Sequence, residues 1–592
     1  MNIYVLGIYN AHNATAALLK NGEIIACVSE ERFNGKKNYV GFPKKSIKWC
    51  LDFAGITAQD LSLVTLSFAF SSPEFMPGEI RTGVASSMLL AIYRIVNVVR
   101  IGWGRAVYFY PSIRPLGTFL HNITEKIVGK SVMKKEKKFV ASYLNIPEAK
   151  IVNFDHHLSH AATAYYSSPY NQEKALGFSL DAEGDGKSAT VNIFNKDKIS
   201  KIAITSRENS FGWMYVYVTR FLGMKGGEDE FKVMGLAPYA KQTAVLELYE
   251  KIKDIITLDP KNPLKFKSKF NTQDTMFYLR REMMGNRFDN LAGAFQKLTE
   301  DRMSEWVKAA IKKTNISTIV GAGGVFMNIK ANKKISELPE VKQCFFMPSS
   351  GDESIPIGGC YLGYIKILDE LKLKYDVKPI QNLYLGPQVS VEELQKFLSK
   401  KKYQKYRIEK SSNIEKKIAA LLAKGEVVAR MSGRMEWGAR ALGNRSILAN
   451  PSNRETVMEI NEKMKNRDFW MPFAPSMLNE RKADYCINKK NFDSPFMNLS
   501  FDGTELAKKE LKAAIHQYDF TLRPQFVTKE RNAKYYELIK EFERLTGIGA
   551  VLNTSFNLHR YPIVLGYEEA MRAFENSGLR HLAIEEYLIS KK

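Results

Sequence analysis

Two short apolar runs open the chain, at residues 2–8 and 15–19, and Asn21-Gly22 follows the second. That pattern predicts two strands and a tight hairpin turn. An amphipathic helix is expected over 44–55. Residues 71–150 break the rhythm: apolar sequence dotted with Arg94, Arg100 and Arg105 gives way to Lys134, Lys135, Lys137 and Lys138. This composition predicts a basic, mostly helical insertion. Strand patterns return at 151–154, 175–180 and 189–205, and a long, mostly helical stretch is expected over 213–312. Residues 316–320 form a buried-strand pattern that runs into Gly321-Ala322-Gly323-Gly324, and a helix is expected over 355–370. Residues 371–383 read as a linker. Beyond them, helices at 391–401 and 413–424 precede a strand at 426–430, a loop dense in Arg and Gly, a strand at 549–552 and a last helix near Gly566. Strands alternating with helices define an α/β class. The change of texture predicts two domains, 1–375 and 376–592.

Composition supports that division. A chain of 592 residues exceeds the roughly 250–300 that one core serves. With 45% hydrophobic and 25% charged residues it is not a disordered chain. The five cysteines are scattered and form no CxxC pair, which excludes a cysteine-based zinc module and favours a reducing compartment. The most apolar stretch, 84–110, is interrupted by three arginines, so no membrane span is expected. The first residues lack the basic start and small-residue cleavage site of a signal peptide, and a cytoplasmic protein is expected. Lys and Arg number 87 against 63 Asp and Glu, a net charge of +24. Such a surplus reads either as diffuse lysine on a solvated surface or as a docking face for nucleic acid or an anionic substrate.

Chemistry concentrates in a few places. Three of the eight histidines lie within five residues, in Asp155-His156-His157-Leu158-Ser159-His160. On a helix, His156 and His160 share one face and can grip one divalent cation. The other reading is a helix start capped by Asp155 with incidental histidines. Two glycine-flanked acid loops, Asp181-Ala182-Glu183-Gly184-Asp185-Gly186 and Gly351-Asp352-Glu353, could complete a metal site or simply cap turns. Gly321-Ala322-Gly323-Gly324-Val325 sits between a strand and a helix, where backbone N–H groups can face a phosphate. It is neither a Walker loop nor a dinucleotide fingerprint. The densest signal is Gly433-Arg434-Met435-Glu436-Trp437-Gly438-Ala439-Arg440-Ala441-Leu442-Gly443-Asn444-Arg445-Ser446, followed by Lys463, Lys465, Arg467, Arg523 and Asn553-Thr554-Ser555-Phe556-Asn557. Arginines in glycine-rich turns favour an anion pocket over salt-bridged surface arginine.

Taken in order, His12, Glu30-Glu31-Arg32-Phe33, Lys37, the Asp-His-His-x-x-His block, Lys232-Val233-Met234-Gly235-Leu236-Ala237, Gly323-Gly324-Val325-x-x-Asn328 and Gly351-Asp352 resemble the O-carbamoyltransferase family of the nodulation, cephamycin and tobramycin type. The resemblance spans both halves apart from 71–150. It implies an actin-like, two-lobed first domain similar to that of the tRNA threonylcarbamoyl transferases, and a YrdC-like second domain that forms carbamoyladenylate. It implies that His156, His160 and Asp352 bind iron with Asp181 close by. It also implies that Arg440, Lys465, Arg523 and Ser555 hold carbamoyl phosphate and the ATP phosphates. Lys37 joins the catalytic set, and Lys232, Gly323, Gly324, Asn328, Arg445, Arg467 and Asn553 join the nucleotide-binding set, with Mg2+ accompanying ATP. His12 is the candidate base for the acceptor hydroxyl. Three positions depart from the family pattern. His-Asp is His12-Asn13, Lys-His is Lys37-Asn38, and Gly-Glu-Pro-Ile is Arg560-Tyr561-Pro562-Ile563. Asn13 can hydrogen-bond a histidine but cannot stabilise its charge.

Three functional readings follow. The first is ATP-dependent O-carbamoyl transfer to a hydroxyl of a small natural product, sugar or nucleoside. The second is the same transfer to hydroxymethylated bases in DNA, with salt-sensitive docking and base flipping. The third is an actin-like ATP-binding partner protein with no transfer activity, for which the second anion loop has no use. A dimer is compatible with each of the three, and the oligomeric state stays open.

Overall fold

The computed structural model describes residues 2–67, 133–465 and 467–591. Of the expected insertion 71–150, residues 71–132 lie outside the described residues, and 133–144 are helical. Two compact units emerge. One comprises 1–30 and 38–380, and the other 31–37 and 381–592. The linker expected over 371–383 contains this boundary.

The first unit is built on two five-stranded sheets of the same design. In the first, β1 (Tyr4–Tyr9), β2 (Thr15–Lys20) and β3 (Glu23–Ser29) form an antiparallel meander, and β4 (Leu63–Leu66) and β5 (Ile151–Asn153) add parallel strands on the other side of β1. The second repeats it. There β6 (Lys174–Gly184), β7 (Lys187–Asn195) and β8 (Lys198–Ser206) form the meander. A separate hairpin, β9 (Ile256–Asp259) and β10 (Asn262–Ser268), intervenes, and β11 (Thr318–Ala322) and β12 (Gln343–Phe346) then extend β6 in parallel. The strand orders are β3-β2-β1-β4-β5 and β8-β7-β6-β11-β12. All six residues of β1 are buried. A strand covered on both faces needs a continuous apolar run, which is what Tyr-Val-Leu-Gly-Ile-Tyr supplies.

Three helices frame these sheets: α1 (His156–Ser167), α2 (Phe288–Thr314) and α3 (Ile355–Glu370). Asp155 caps α1 by accepting the Leu158 N–H at 2.8 Å. Helix α3 starts with Pro356 in its first turn and is buried on nearly every side. It crosses α1 at Gly358, where an added Cβ would lie 2.0 Å from the Ser159 carbonyl oxygen. Only glycine allows that approach. The helical stretch expected over 213–312 is interrupted by the β9–β10 hairpin, whose alternating Leu264 and Phe266 are buried while Lys265 and Lys267 face outward.

The second unit holds an eight-stranded mixed sheet. Its strands are β13 (Arg407–Lys410), β14 (Val428–Met431), β15 (Arg445–Ala449), β16 (Ala474–Leu478), β20 (Gln525–Val527), β21 (Ala550–Ser555), β22 (His581–Ile584) and β23 (Tyr587–Ser590). A three-stranded sheet of β17 (Cys486–Ile487), β18 (Phe501–Gly503) and β19 (Thr521–Leu522) accompanies it. The sheet order is β13-β23-β22-β14-β15-β21-β16-β20. The core beneath it includes Leu394, Phe397, Ile447, Leu552, Met571 and Phe574. Adjacent β14, β15 and β21 meet at the loop dense in arginine and glycine. Among the described residues no helix is long and apolar enough to cross a membrane.

Candidate active site

In the first unit, α1 delivers His156 and His160 one turn apart, β6 delivers Asp181 at its end, and the loop after β12 delivers Asp352. One donor atom from each of the four lies within 4.8 Å of all the others. His160 Nε2 stands 3.4 Å from Asp181 Oδ2 and 3.4 Å from Asp352 Oδ1. His156 Nε2 is 3.4 Å from Asp181 Oδ2 and 3.6 Å from Asp352 Oδ1. Both histidines are wholly buried, and His160 has no hydrogen-bond partner on either ring nitrogen. Burial disfavours charge on His160, yet the facing Asp181 and Asp352 lift its pKa to about 9. Burial pushes Asp181 up, but the two imidazoles hold it well below the usual carboxylate range. Two imidazoles and two carboxylates converging with orphaned nitrogens fit a divalent transition metal.

The surroundings hold these donors in place. Tyr9 donates its hydroxyl to Asp352 Oδ2 at 2.5 Å. The Gly324 N–H donates to Asp181 Oδ1 at 3.2 Å, and the His156 N–H donates to Asp185 Oδ2 at 2.8 Å. A Cβ on Gly184 would lie 2.1 Å from His156 Cδ2, so the acid loop can pass the imidazole only as glycine. His157 turns away. Its ring contacts Ser179 Oγ at 2.9 Å and the Lys187 carbonyl at 3.0 Å, and burial with its two histidine neighbours lowers its pKa to about 3. It is a neutral packing residue. His12 is partly exposed and bridges to Val40 beyond the meander.

The second unit gathers cations. Lys465 ends a short π-helical turn, Asn461–Lys465, a distortion frequent at functional sites. Its Nζ donates to the Ser555 carbonyl, to Ser555 Oγ at 3.2 Å, to the Asn557 carbonyl at 3.2 Å and to Asn557 Oδ1 at 2.7 Å. Arg467 donates to Thr554 Oγ1 at 3.2 Å and lies over Phe473. Burial, then Arg467 and Lys37, hold Lys465 well below the ordinary lysine value. Burial and Arg440 lower Arg467 to about 10. Burial, Arg440 and Arg467 press Arg523 down, and its Nε is buried without a partner. Among the described residues, the charges that press on these three are cations. Lys37 arrives through segment 31–37, which belongs to this unit and is tied to its arginine loop by Arg32 Nη2 donating to the Gly438 carbonyl at 2.9 Å. The sequence alone groups Lys37 with His12. The structure groups it with Lys465.

Several residues expected to face nucleotide have internal duties instead. Arg445 is fully buried and donates to the backbone carbonyls of Asn444, Gly433, Ser432, Leu565 and Pro387 at 2.9–3.4 Å. These donors brace the loop. Asn328 exchanges amide hydrogen bonds with Gln296 at 2.8 and 3.0 Å and caps the following helix. The Asn553 amide nitrogen holds the Ala441 carbonyl and Ser476 Oγ at 3.0 and 2.9 Å. The Gly324 N–H serves Asp181, and the Gly323 N–H donates to the Ser350 carbonyl at 2.8 Å. Lys232 pairs with Asp229 at 3.3 Å. Glu436, passed over in the sequence, is wholly buried within the arginine loop. An acid amid arginines reads as an ordinary ion pair until its hydrogen bonds are seen.

Two family descriptions match the chain, "Carbamoyltransferase N-terminus" over residues 4–361 and "Carbamoyltransferase C-terminus" over residues 419–591. The uncharacterized protein MJ1051 of Methanocaldococcus jannaschii is 32% identical over 99% of this chain and 99% of its own length. Nodulation protein NolNO of Sinorhizobium fredii is 28% identical over 98% of this chain and 79% of its own. Nodulation protein NolO of Bradyrhizobium diazoefficiens is 29% identical over 74% and 79%. With matched halves that carry a buried His-His-Asp-Asp cluster and a cluster of buried cations, the chain belongs to the carbamoyltransferase family and is a carbamoyltransferase enzyme.

Proposed function

We propose that the protein is an ATP-dependent O-carbamoyltransferase that activates carbamoyl phosphate as carbamoyladenylate in its YrdC-like second domain. Its actin-like first domain then passes the carbamoyl group to a hydroxyl of a small natural product, sugar or nucleoside. The duplicated sheet order supports the actin-like reading of the first domain. The observation that carries the proposal is the cluster of Lys37, Arg440, Lys465, Arg467 and Arg523, in which burial and neighbouring cations depress the three buried members. Buried like charges repel and lose solvation, so the arrangement is costly until a polyanion enters. Carbamoyl phosphate and ATP together supply that anion.

Water first cleaves carbamoyl phosphate to carbamate and inorganic phosphate. A carbamate oxygen then bonds to the α-phosphorus of ATP as pyrophosphate leaves, giving carbamoyladenylate. Arg440, Arg467 and Arg523 neutralise the phosphates, and Lys465 is held in place by Ser555 and Asn557. In transfer, the acceptor oxygen bonds to the carbamoyl carbon, the carbon–oxygen bond to AMP breaks, and AMP departs with the electron pair. His12 takes the hydroxyl proton. Iron held by His156, His160, Asp181 and Asp352 would supply Lewis acidity to the carbamoyl carbonyl.

The test is incubation of the full chain with carbamoyl phosphate, ATP, Mg2+ and hydroxyl acceptors, including sugars, nucleosides and hydroxymethylated DNA. Mass gain of one carbamoyl group on a small acceptor is expected. Gain confined to DNA and lost with salt would overturn the small-molecule acceptor. AMP release with no acceptor modified would leave an ATP-binding partner protein. An R523A chain that forms carbamoyladenylate at the parent rate would sink the anion-site assignment.

A further inference from the structure

The turn of residues 442–445 has the glycine and arginine content of a phosphate-binding turn, yet its amides are already occupied. One oxygen of Glu436, Oε1, accepts the N–H of Leu442 at 2.6 Å, of Asn444 at 3.2 Å and of Arg445 at 3.1 Å. The remaining N–H, on Gly443, donates to Ser446 Oγ at 3.0 Å. Converging backbone N–H groups make an anion nest, and here the anion is a side chain of the protein itself. Glu436 is 0% exposed, and its Oε2 is buried without a partner. The carbonyl side is tied down by cations: Arg430 Nη1 donates to the Gly443 carbonyl at 2.5 Å, and Arg445 brackets the Ser432, Gly433 and Asn444 carbonyls. All four amides of 442–445 are therefore spoken for, two residues after Arg440.

We propose that Glu436 is a positioning residue of the anion site: its carboxylate fills the amide nest in place of a substrate phosphate and fixes the loop that presents Arg440. It follows that the substrate phosphates are read by side-chain cations and not by the amides of residues 442–445. The proposal rests on the reading of this unit as the carbamoyl phosphate and ATP site. Prearranging the loop before the substrate arrives removes an ordering cost from binding, so Glu436 acts chiefly on KM.

Steady-state pyrophosphate release by the full chain tests this with E436Q, E436A and R523A. Hydrogen bonds to a charged acceptor set the scale. E436Q keeps an acceptor oxygen and should raise KM for carbamoyl phosphate about tenfold with kcat within about twofold. E436A should raise KM about a hundredfold, and added formate should restore part of it by entering the vacated nest. A residue that merely fills space would show no rescue by formate. Should E436A fail to fold by circular dichroism, E436Q decides alone. Folded E436Q with unchanged KM, while R523A raises it, overturns the positioning role and leaves the site reading standing. Unchanged KM in both variants brings down the site reading and the proposal with it.

Discussion

Single side chains show the division between what a sequence specifies and what only packing decides. Gly184 is a direct example: a Cβ there would meet His156 Cδ2 at 2.1 Å. Gly184→Ala should displace the imidazole and drop the bound metal per chain by at least half as measured by atomic emission, with the circular dichroism spectrum retained. Parent-level metal content in that variant would disprove the link. Lys465 supports a pH experiment. Burial holds its folded pKa well below the ordinary lysine value, so between those two values the unfolded chain binds the extra proton. Stability contributed by this site therefore rises with pH across that window. The expected result is a more positive slope of unfolding free energy against pH, just below the ordinary lysine value of about 10, for the parent than for Lys465→Met. Excess inorganic phosphate should erase the difference, because a bound anion restores the charged lysine. Equal slopes without phosphate would refute the account. The grouping of His156 and His160 was legible because three of eight histidines fall in five residues at helical spacing. The inward turn of Arg445 and Asn553 was not, since a motif names a residue type and not the direction of its side chain.

At the scale of elements, local pattern was legible and long-range pairing was not. The strand starts near residues 4 and 15, the helix over 355–370 and the strand before the arginine loop follow directly from apolar runs and turn residues. The β9–β10 hairpin was hidden inside a stretch that reads as helical, because two strands of four and seven residues weigh little in a long window. Segment 31–37 could not be assigned at all from local pattern, as its partners lie some four hundred residues away, at Gly438 and Lys465. The repetition of β1–β5 in β6–β8, β11 and β12 was equally invisible, because the two sets share topology and not sequence. Close helix packing gives the prediction at this scale. Helix α3 approaches α1 through Gly358, whose Cβ would stand 2.0 Å from the Ser159 carbonyl, and Ser159 sits between the two histidines of the buried cluster. Gly358→Ala should cost about 1–3 kcal/mol by overpacking, read as a lower urea midpoint. A midpoint equal to the parent's would mean that the helices part without penalty.

The chain as a whole carries two chemistries and a large positive charge. The net +24 has a local component in the second unit, where buried cations repel one another and call for phosphates. That component is small beside the total. Residues 71–150, with 12 basic and 5 acidic residues, hold another share, and steep loss of transfer with added salt would identify that share as a contact for a polyanionic acceptor. The two proposed half-reactions would place opposite demands on the protein: activation on fixed positive charge and Mg2+-bound ATP, transfer on the imidazole–carboxylate cluster. Since His156, His160, Asp181 and Asp352 all belong to the first unit and Lys465, Arg467 and Arg523 to the second, removing a metal held by that cluster should separate the proposed steps. Protein stripped with an iron-selective chelator and returned to excess Mg2+ should release pyrophosphate from ATP, dependent on carbamoyl phosphate, at a rate within about threefold of the parent. Its transfer to acceptor should fall by at least the 10²–10⁴-fold typical of losing one catalytic group. Readdition of Fe2+ should recover transfer, and H156A/H160A should match the stripped protein with or without added iron. If stripping stops pyrophosphate release as well, the metal serves activation, and the division of labour drawn from the two clusters is wrong. If transfer survives in H156A/H160A, the buried cluster has no part in the chemistry, and the acceptor must meet the carbamoyl group elsewhere.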